Sequence, residues 1–171
     1  MKRLVVSAIA LVTSTWIAVA DPAGDLLARG HEALRARDIV AAMEAFTAVL
    51  EADPAHGAAA YERGRLLLII GEPENAIADF TTAVLADPSN GRAYARRGEA
   101  KLVLKDAESA IADFDQAIAV APHDYEAHVI RATFRLKIGN LAGARTDLQN
   151  AKAVADAATA KAIQVMLDKL N

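Results

Sequence analysis

The chain has no cysteine among its 171 residues. That excludes a disulfide framework, a thiolate nucleophile and a thiolate metal site, and it leaves the redox compartment open. Aromatic residues make up only 5%. Basic charge is not in excess either: the formal net charge is -3, which argues against a nucleic-acid footprint. No phosphate-cradling glycine loop and no HExxH occur. The four histidines, His31, His56, His123 and His128, fall in different phases of the sequence. His123 and His128 flank a turn beside Asp124 but lack a third fixed ligand, so no metal is assigned to them. These absences leave no catalytic residue, metal or cofactor to nominate, and the chain reads as a non-enzyme.

Hydrophobic residues make up 54%, and much of that is alanine. Alanine is the best helix former and lets helices approach closely, so the fold class is all-α. One ordinary core, hence one domain, fits the length.

The first twenty residues stand apart. Lys2 and Arg3 precede a mostly apolar run, Leu4 to Ala18, softened by Ser7, Thr13, Ser14 and Thr15, and Ala18-Val19-Ala20 follows as a small-x-small site. This is the layout of a secretory signal peptide spanning 1–20 and cleaved after Ala20. The run is short for a membrane span, and no cysteine follows it to carry a lipid. Membrane contact is then expected only in transit, with a periplasmic or secreted destination. Taking Lys2 and Arg3 from the 19 basic residues leaves 17 against 22 acidic, a charge of -5 for the mature domain 21–171.

Four segments of 34 residues align without a gap: 23–56, 57–90, 91–124 and 125–158. A small residue falls eighth (Gly30, Gly64, Gly98, Ala132) and alanine falls twentieth (Ala42, Ala76, Ala110, Ala144). A large apolar residue falls twenty-fourth: Phe46, Phe80, Phe114, Leu148. Pro54, Pro88 and Pro122 close the first three segments. The small residue is expected to face the alanine of a second helix, with the Phe beside that contact. Proline ends the second helix. Asp38, Asp106 and Asn140 are expected N-caps, and Pro73 a first-turn residue. Helix breaks are predicted near 37–38, 71–72, 105–106 and 139–140, and at 54–56, 88–90 and 122–124.

The spacing resembles the tetratricopeptide repeat (TPR) family, on the pattern small–x11–Ala–x3–Phe–x2–Ala–x4–Pro over 23–158. The resemblance implies a right-handed α-solenoid of four repeats and a concave groove lined by first helices. The family's early Trp is replaced by Leu26, Ala60, Tyr94 and His128, and its Tyr by Ala33, Leu67, Lys101 and Arg135. Asp156 stands where the fourth proline is expected. Second-helix pairs Met43/Leu50, Ile77/Val84 and Ile111/Ile118 become Arg145/Lys152 in the last repeat, the polar turn a solenoid end needs. Residues 159–170 read as a closing helix.

The implied groove reads, at spacings of four and three, Leu27, His31, Leu34; Tyr61, Arg65, Leu68; Ala95, Glu99, Leu102; and Val129, Thr133, Leu136, extended by Arg92, Arg96 and Glu126. An apolar ladder with a polar residue in each rung suits a peptide or a short amphipathic helix of a protein partner. A self-associating structural protein is the alternative. Clamp-type relatives hold a C-terminal carboxylate with basic residues and asparagines. The matching places here carry Leu27, His31, Glu62, Arg92 and Arg96, so that mode is rejected. Finally, Arg29, Arg63, Arg97 and Arg131 recur seventh, and Asp79, Asp113 and Asp147 twenty-third, with Ala45 in the first repeat. A bridge within each repeat is expected, with Arg29 turned to solvent or to Glu44. Pairing with the next repeat's aspartate satisfies the same count.

Overall fold

Alanine-rich segments punctuated every few turns by a cap or a proline produce a row of short helices. The computed structural model describes residues 22–170; the expected leader lies outside them. Among the described residues there are nine helices and no strand. They are α1 (Pro22–Ala36), α2 (Ile39–Ala52), α3 (Gly57–Ile70), α4 (Pro73–Ala86), α5 (Gly91–Val103), α6 (Ala107–Val120), α7 (Tyr125–Lys137), α8 (Leu141–Val154) and α9 (Ala157–Asp168). Each packs on the next in sequence, while α5 also touches α3 and α7, so the chain is an all-α solenoid of helix pairs.

The breaks fall where the caps demand. Asp38, Asp106 and Asn140 accept hydrogen bonds from the third residue on, and Pro73 opens α4. First helices end on a left-handed residue: Gly71 and Gly139 in repeats two and four, but Arg37 (φ 61°) and Lys105 (φ 66°) in repeats one and three. The aspartate in place of the fourth proline has a use of its own. Asp156 caps α9, accepting from the backbone of Ala158 and Thr159, so the closing helix begins at Ala157 rather than at 159.

The core runs down the centre of the stack. Ala42, Phe46, Val49, Ala76, Phe80, Ala110, Phe114, Ala117, Ala144 and Leu148 are fully buried. The expected glycine–alanine contact is corrected by the ring. A Cβ on Gly30 would lie 2.4 Å from Phe46, on Gly64 2.9 Å from Phe80, and on Gly98 2.7 Å from Phe114. Glycine therefore makes room first for the phenylalanine; at Gly98 the Ala110 carbonyl, 3.0 Å away, is the second neighbour. Where the ring shrinks to Leu148, alanine is tolerated at 132.

Leu50 and Val84 are buried and Met43, Ile77 and Ile118 partly so, while Ile111 is 36% exposed. At the far end α9 packs on α8 through Ile163 and Leu167. The polar pair on α8 serves that contact too: Arg145 donates to the Leu170 carbonyl at 2.6 Å and Lys152 to Gln164 at 2.7 Å.

Candidate functional site

The recurring arginines settle first. Arg63 grips Asp79 through Nε and Nη2 at 2.7 and 2.8 Å, and Arg97 grips Asp113 at 2.9 and 2.7 Å. Arg131 holds Asp147 at 3.0 and 2.6 Å. Every bridge is bidentate and lies within one repeat, joining its first helix to its second. The aspartates are buried, Asp147 completely. Two residues that break the family pattern complete the cage: Lys101 reaches Asp113 and Arg135 reaches Asp147, each at 2.7 Å. A buried carboxylate is costly unless its charge and lone pairs are matched, and these cations match them. The hydrogen bond to Asp113 also holds the Arg97 guanidinium above its ordinary pKa. Arg29, whose repeat carries Ala45 in the aspartate's place, is exposed and makes no ion pair among the described residues. The ladder is structural, not a ligand site.

The inner face is built by α3, α5 and α7. Between α3 and α5 lies a pocket of about 310 Å3 lined by Arg65, Leu68, Ile69, Arg96, Glu99 and Val103. Between α5 and α7 lies another of about 310 Å3, lined by Glu99, Leu102, Val103, Val129, Ile130, Thr133, Phe134 and Lys137. Glu99 and Val103 form the ridge between them. Of the residues named from sequence, Arg65, Leu68, Arg96, Glu99, Leu102, Val129 and Thr133 meet in these two pockets.

The others serve differently. Leu27 and Leu34 back the core of the first repeats, and Leu136 that of the fourth. His31 packs edge-on against Phe46, with centroids 5.7 Å apart. Ala95, 1% exposed, is packed with Ala117 and Ala127 and offers no surface to a ligand. Tyr61 packs on Phe80 beneath Arg65. Burial raises its phenol pKa, against the opposing pull of Arg96 and Arg65.

Arg92 is bonded to Asp124 at 2.9 Å and Arg96 to Glu99 at 2.8 Å and to Glu126; Glu62 is taken by Arg65 at 2.7 Å. The basic pair that resembled part of a carboxylate clamp is thus already neutralised by the chain itself.

Ile69, Val103, Ile130, Phe134 and Lys137 were missed. The signal was present: Ile69, Val103 and Lys137 stand four residues after Arg65, Glu99 and Thr133, one turn further along the same face.

Among the described residues no group of three or more side chains is placed to hold a metal. His123 is exposed, whereas His128 is buried in α7. The latter hydrogen-bonds the backbone at Pro122 and leaves Nδ1 without a partner. Burial lowers its pKa, opposed by the Asp147 carboxylate.

A stack of helix pairs with a pocketed inner face defines a helical-repeat binding fold. The chain belongs to the tetratricopeptide repeat family, whose model matches residues 27–91, 70–117 and 96–160. It is similar in fold to TTC0263, a thermophilic TPR protein of Thermus thermophilus, at 23% identity and TM-score 0.73 over 86% of this chain and 80% of that one. It is likewise similar to MamA of Desulfovibrio magneticus RS-1, at 24% identity and TM-score 0.69, covering 78% and 75%. The second TPR domain of human RPAP3, solved with an HSP70 peptide, is 28% identical with TM-score 0.62, over 67% of this chain and 95% of that domain. No curated protein sequence matches the chain.

Proposed function

We propose that this chain is an exported, non-catalytic scaffold that binds a peptide or short helix of a protein partner along α3, α5 and α7. The observation that carries the reading is the pair of adjoining pockets, whose apolar walls include Ile69 and Val103, 65% and 59% exposed. A peptide-bound relative on the same fold supports it. Capture from envelope extract with the full chain, beside its Val103→Asp variant, tests it: a partner retained equally by both does not use this face. Export rests on the 1–20 leader pattern. N-terminal sequencing of the protein from its native host is expected to begin at Asp21, and Met1 on a soluble cytoplasmic protein would defeat that compartment.

One observation favours self-association as a second reading. Among the described residues, eight of the eleven exposed large aliphatics, Ile39, Val40, Ile69, Ile70, Val103, Leu104, Ile138 and Leu141, lie at or beside the turns joining paired helices. Size exclusion with light scattering reads it directly, and a monomer mass at high concentration ends it.

A further inference from the structure

The buried carboxylates of the three bridges are served unequally. In repeat three, Asp113 Oδ2 accepts from Arg97 Nε and pairs with Lys101 Nζ as well. In repeat four, Asp147 Oδ2 accepts from Arg131 Nε and from Arg135 Nη1. Lys101 and Arg135 stand eleventh in their repeats, and the eleventh residue of repeat two is Leu67. Among the described residues Asp79 is therefore served by one cation, Arg63, whose Nε lies 2.7 Å from Oδ2.

A pocket of about 330 Å3 opens beside Asp79, between α2, α3 and α4. It shares no lining residue with the two inner-face pockets. Two of its walls, Asn75 and Asp79, stand nineteenth and twenty-third in repeat two. Gly143 and Asp147 hold those places in repeat four, and Arg135 hydrogen-bonds both, through the carbonyl and the carboxylate. The pocket thus lies where the other repeats keep their second cation. We infer that it is a binding site for an alkylammonium group, of the kind a lysine side chain carries, supplied from outside the chain. The site is separate from the inner face and does not depend on the scaffold reading.

The walls suit a charged head on an apolar stem. Met43, Leu67 and Ala78 give the methylenes a surface, as lysine stems lie along apolar ground while the ammonium stays among polar groups. Thr47 and Asn75 add neutral acceptor oxygens. Asp79 is only 7% exposed, so salt screens its charge little. The bridge to Arg63 is no obstacle, because repeats three and four add a cation to the same bridge.

The surrounding charge points the same way. The hydrogen bond to Asp79 holds the Arg63 guanidinium above its ordinary pKa, and Glu51 of α2 pulls in the same direction. Glu72 accepts a hydrogen bond from Asn75 at the pocket wall. Three carboxylates thus stand at or next to the walls, against one lining cation. Ammonium is favoured over guanidinium by the closer likeness to repeat three. Thr81 and Ala112 stand there where Thr47 and Ala78 stand here, and the residue that fills the place is a lysine.

The test is an NMR titration of the 15N-labelled full chain with two probes. One is a blocked alanine-lysine-alanine tripeptide, the other n-butylammonium. Saturable shifts are expected at Thr47, Asn75 and Asp79, with a dissociation constant on the order of millimolar, weakening as salt rises. Tighter binding of the peptide assigns the site to a lysine of a polypeptide, and tighter binding of butylammonium to a small amine. Norleucine in place of lysine should weaken binding at least roughly tenfold. Leu67→Lys supplies the cation from within and should abolish the probe shifts. Ala78→Leu, at an exposed position outside the core, narrows the pocket and should weaken binding at least roughly tenfold. Circular dichroism confirms that each variant stays helical. Silence of both probes, equal binding of the norleucine peptide, or unchanged binding in Ala78→Leu overturns the inference and leaves the inner-face reading standing.

Discussion

Gly98 sits under the ring of Phe114, with no room for another carbon. Gly98→Leu is therefore expected to cost roughly 1–3 kcal/mol or more in a urea melt. The fourth repeat shows the compensated solution, Ala132 with Leu148. Gly98→Ala combined with Phe114→Leu reproduces it, and a double-mutant cycle should show favourable coupling of at least about 0.5 kcal/mol.

The buried aspartates behave differently. Asp113→Ala strands Arg97 and Lys101 together. Removing one partner of a fully buried pair costs roughly 3–5 kcal/mol, and less is expected here because Arg97 keeps 16% of its side chain in solvent. Arg29→Ala, at a site with no aspartate, should change the melt by less than about 0.5 kcal/mol. Coupling is expected between Arg97 and Asp113 and not between Arg97 and Asp147. His128 adds a pH term. Its folded pKa lies below the unfolded value of about 6.5, so the unfolded chain takes up the proton first. Stability is complete above that value and declines as pH falls through it. Urea midpoints measured from pH 7.5 down to 5.5 should fall more for the native chain than for His128→Phe.

At the scale of the helix, the left-handed residues are the informative ones. An L-residue there costs about 1–2 kcal/mol, yet a cation at a helix C-terminus recovers about 0.3–1 kcal/mol. Lys105→Gly should therefore stabilise by up to about 1 kcal/mol in thermal or urea melts, while Gly71→Ala destabilises by a similar amount.

Helix limits were legible because each is written locally, in Asp38, Pro73, Asp106, Asn140 or a closing proline. The arginine–aspartate bridges were legible because their period is that of the repeat, although letters alone did not choose between two registers. Lys101 and Arg135 were not: they read as departures from a family pattern, and only the fold brings them to carboxylates twelve residues on. Of the stripe expected to line the groove, the pockets take some residues and not others, for a related reason. A stripe of four-and-three spacing cannot tell the residues that line the face, such as Leu102, from those that sink into the stack, such as Ala95. It also stopped one turn short of Ile69 and Val103.

Across the whole molecule, the ionic contacts between repeats are unevenly distributed. Repeats three and four are joined by Arg92 and Arg96 with Glu126 and by Arg131 with Asp115. Between repeats two and three the arginines bond hydroxyls instead, Arg97 to Thr81 at 3.3 Å and Arg96 to Tyr61, and among the described residues no ion pair joins repeats one and two. In a solenoid each unit leans only on its neighbours, so bending concentrates where the fastening is thinnest. Helix α6 meets α7 over fewer residues than α4 meets α5, so the ion pairs between repeats three and four stiffen the place where apolar packing is sparser, and the width of the pocket between α5 and α7 is set in part by charge.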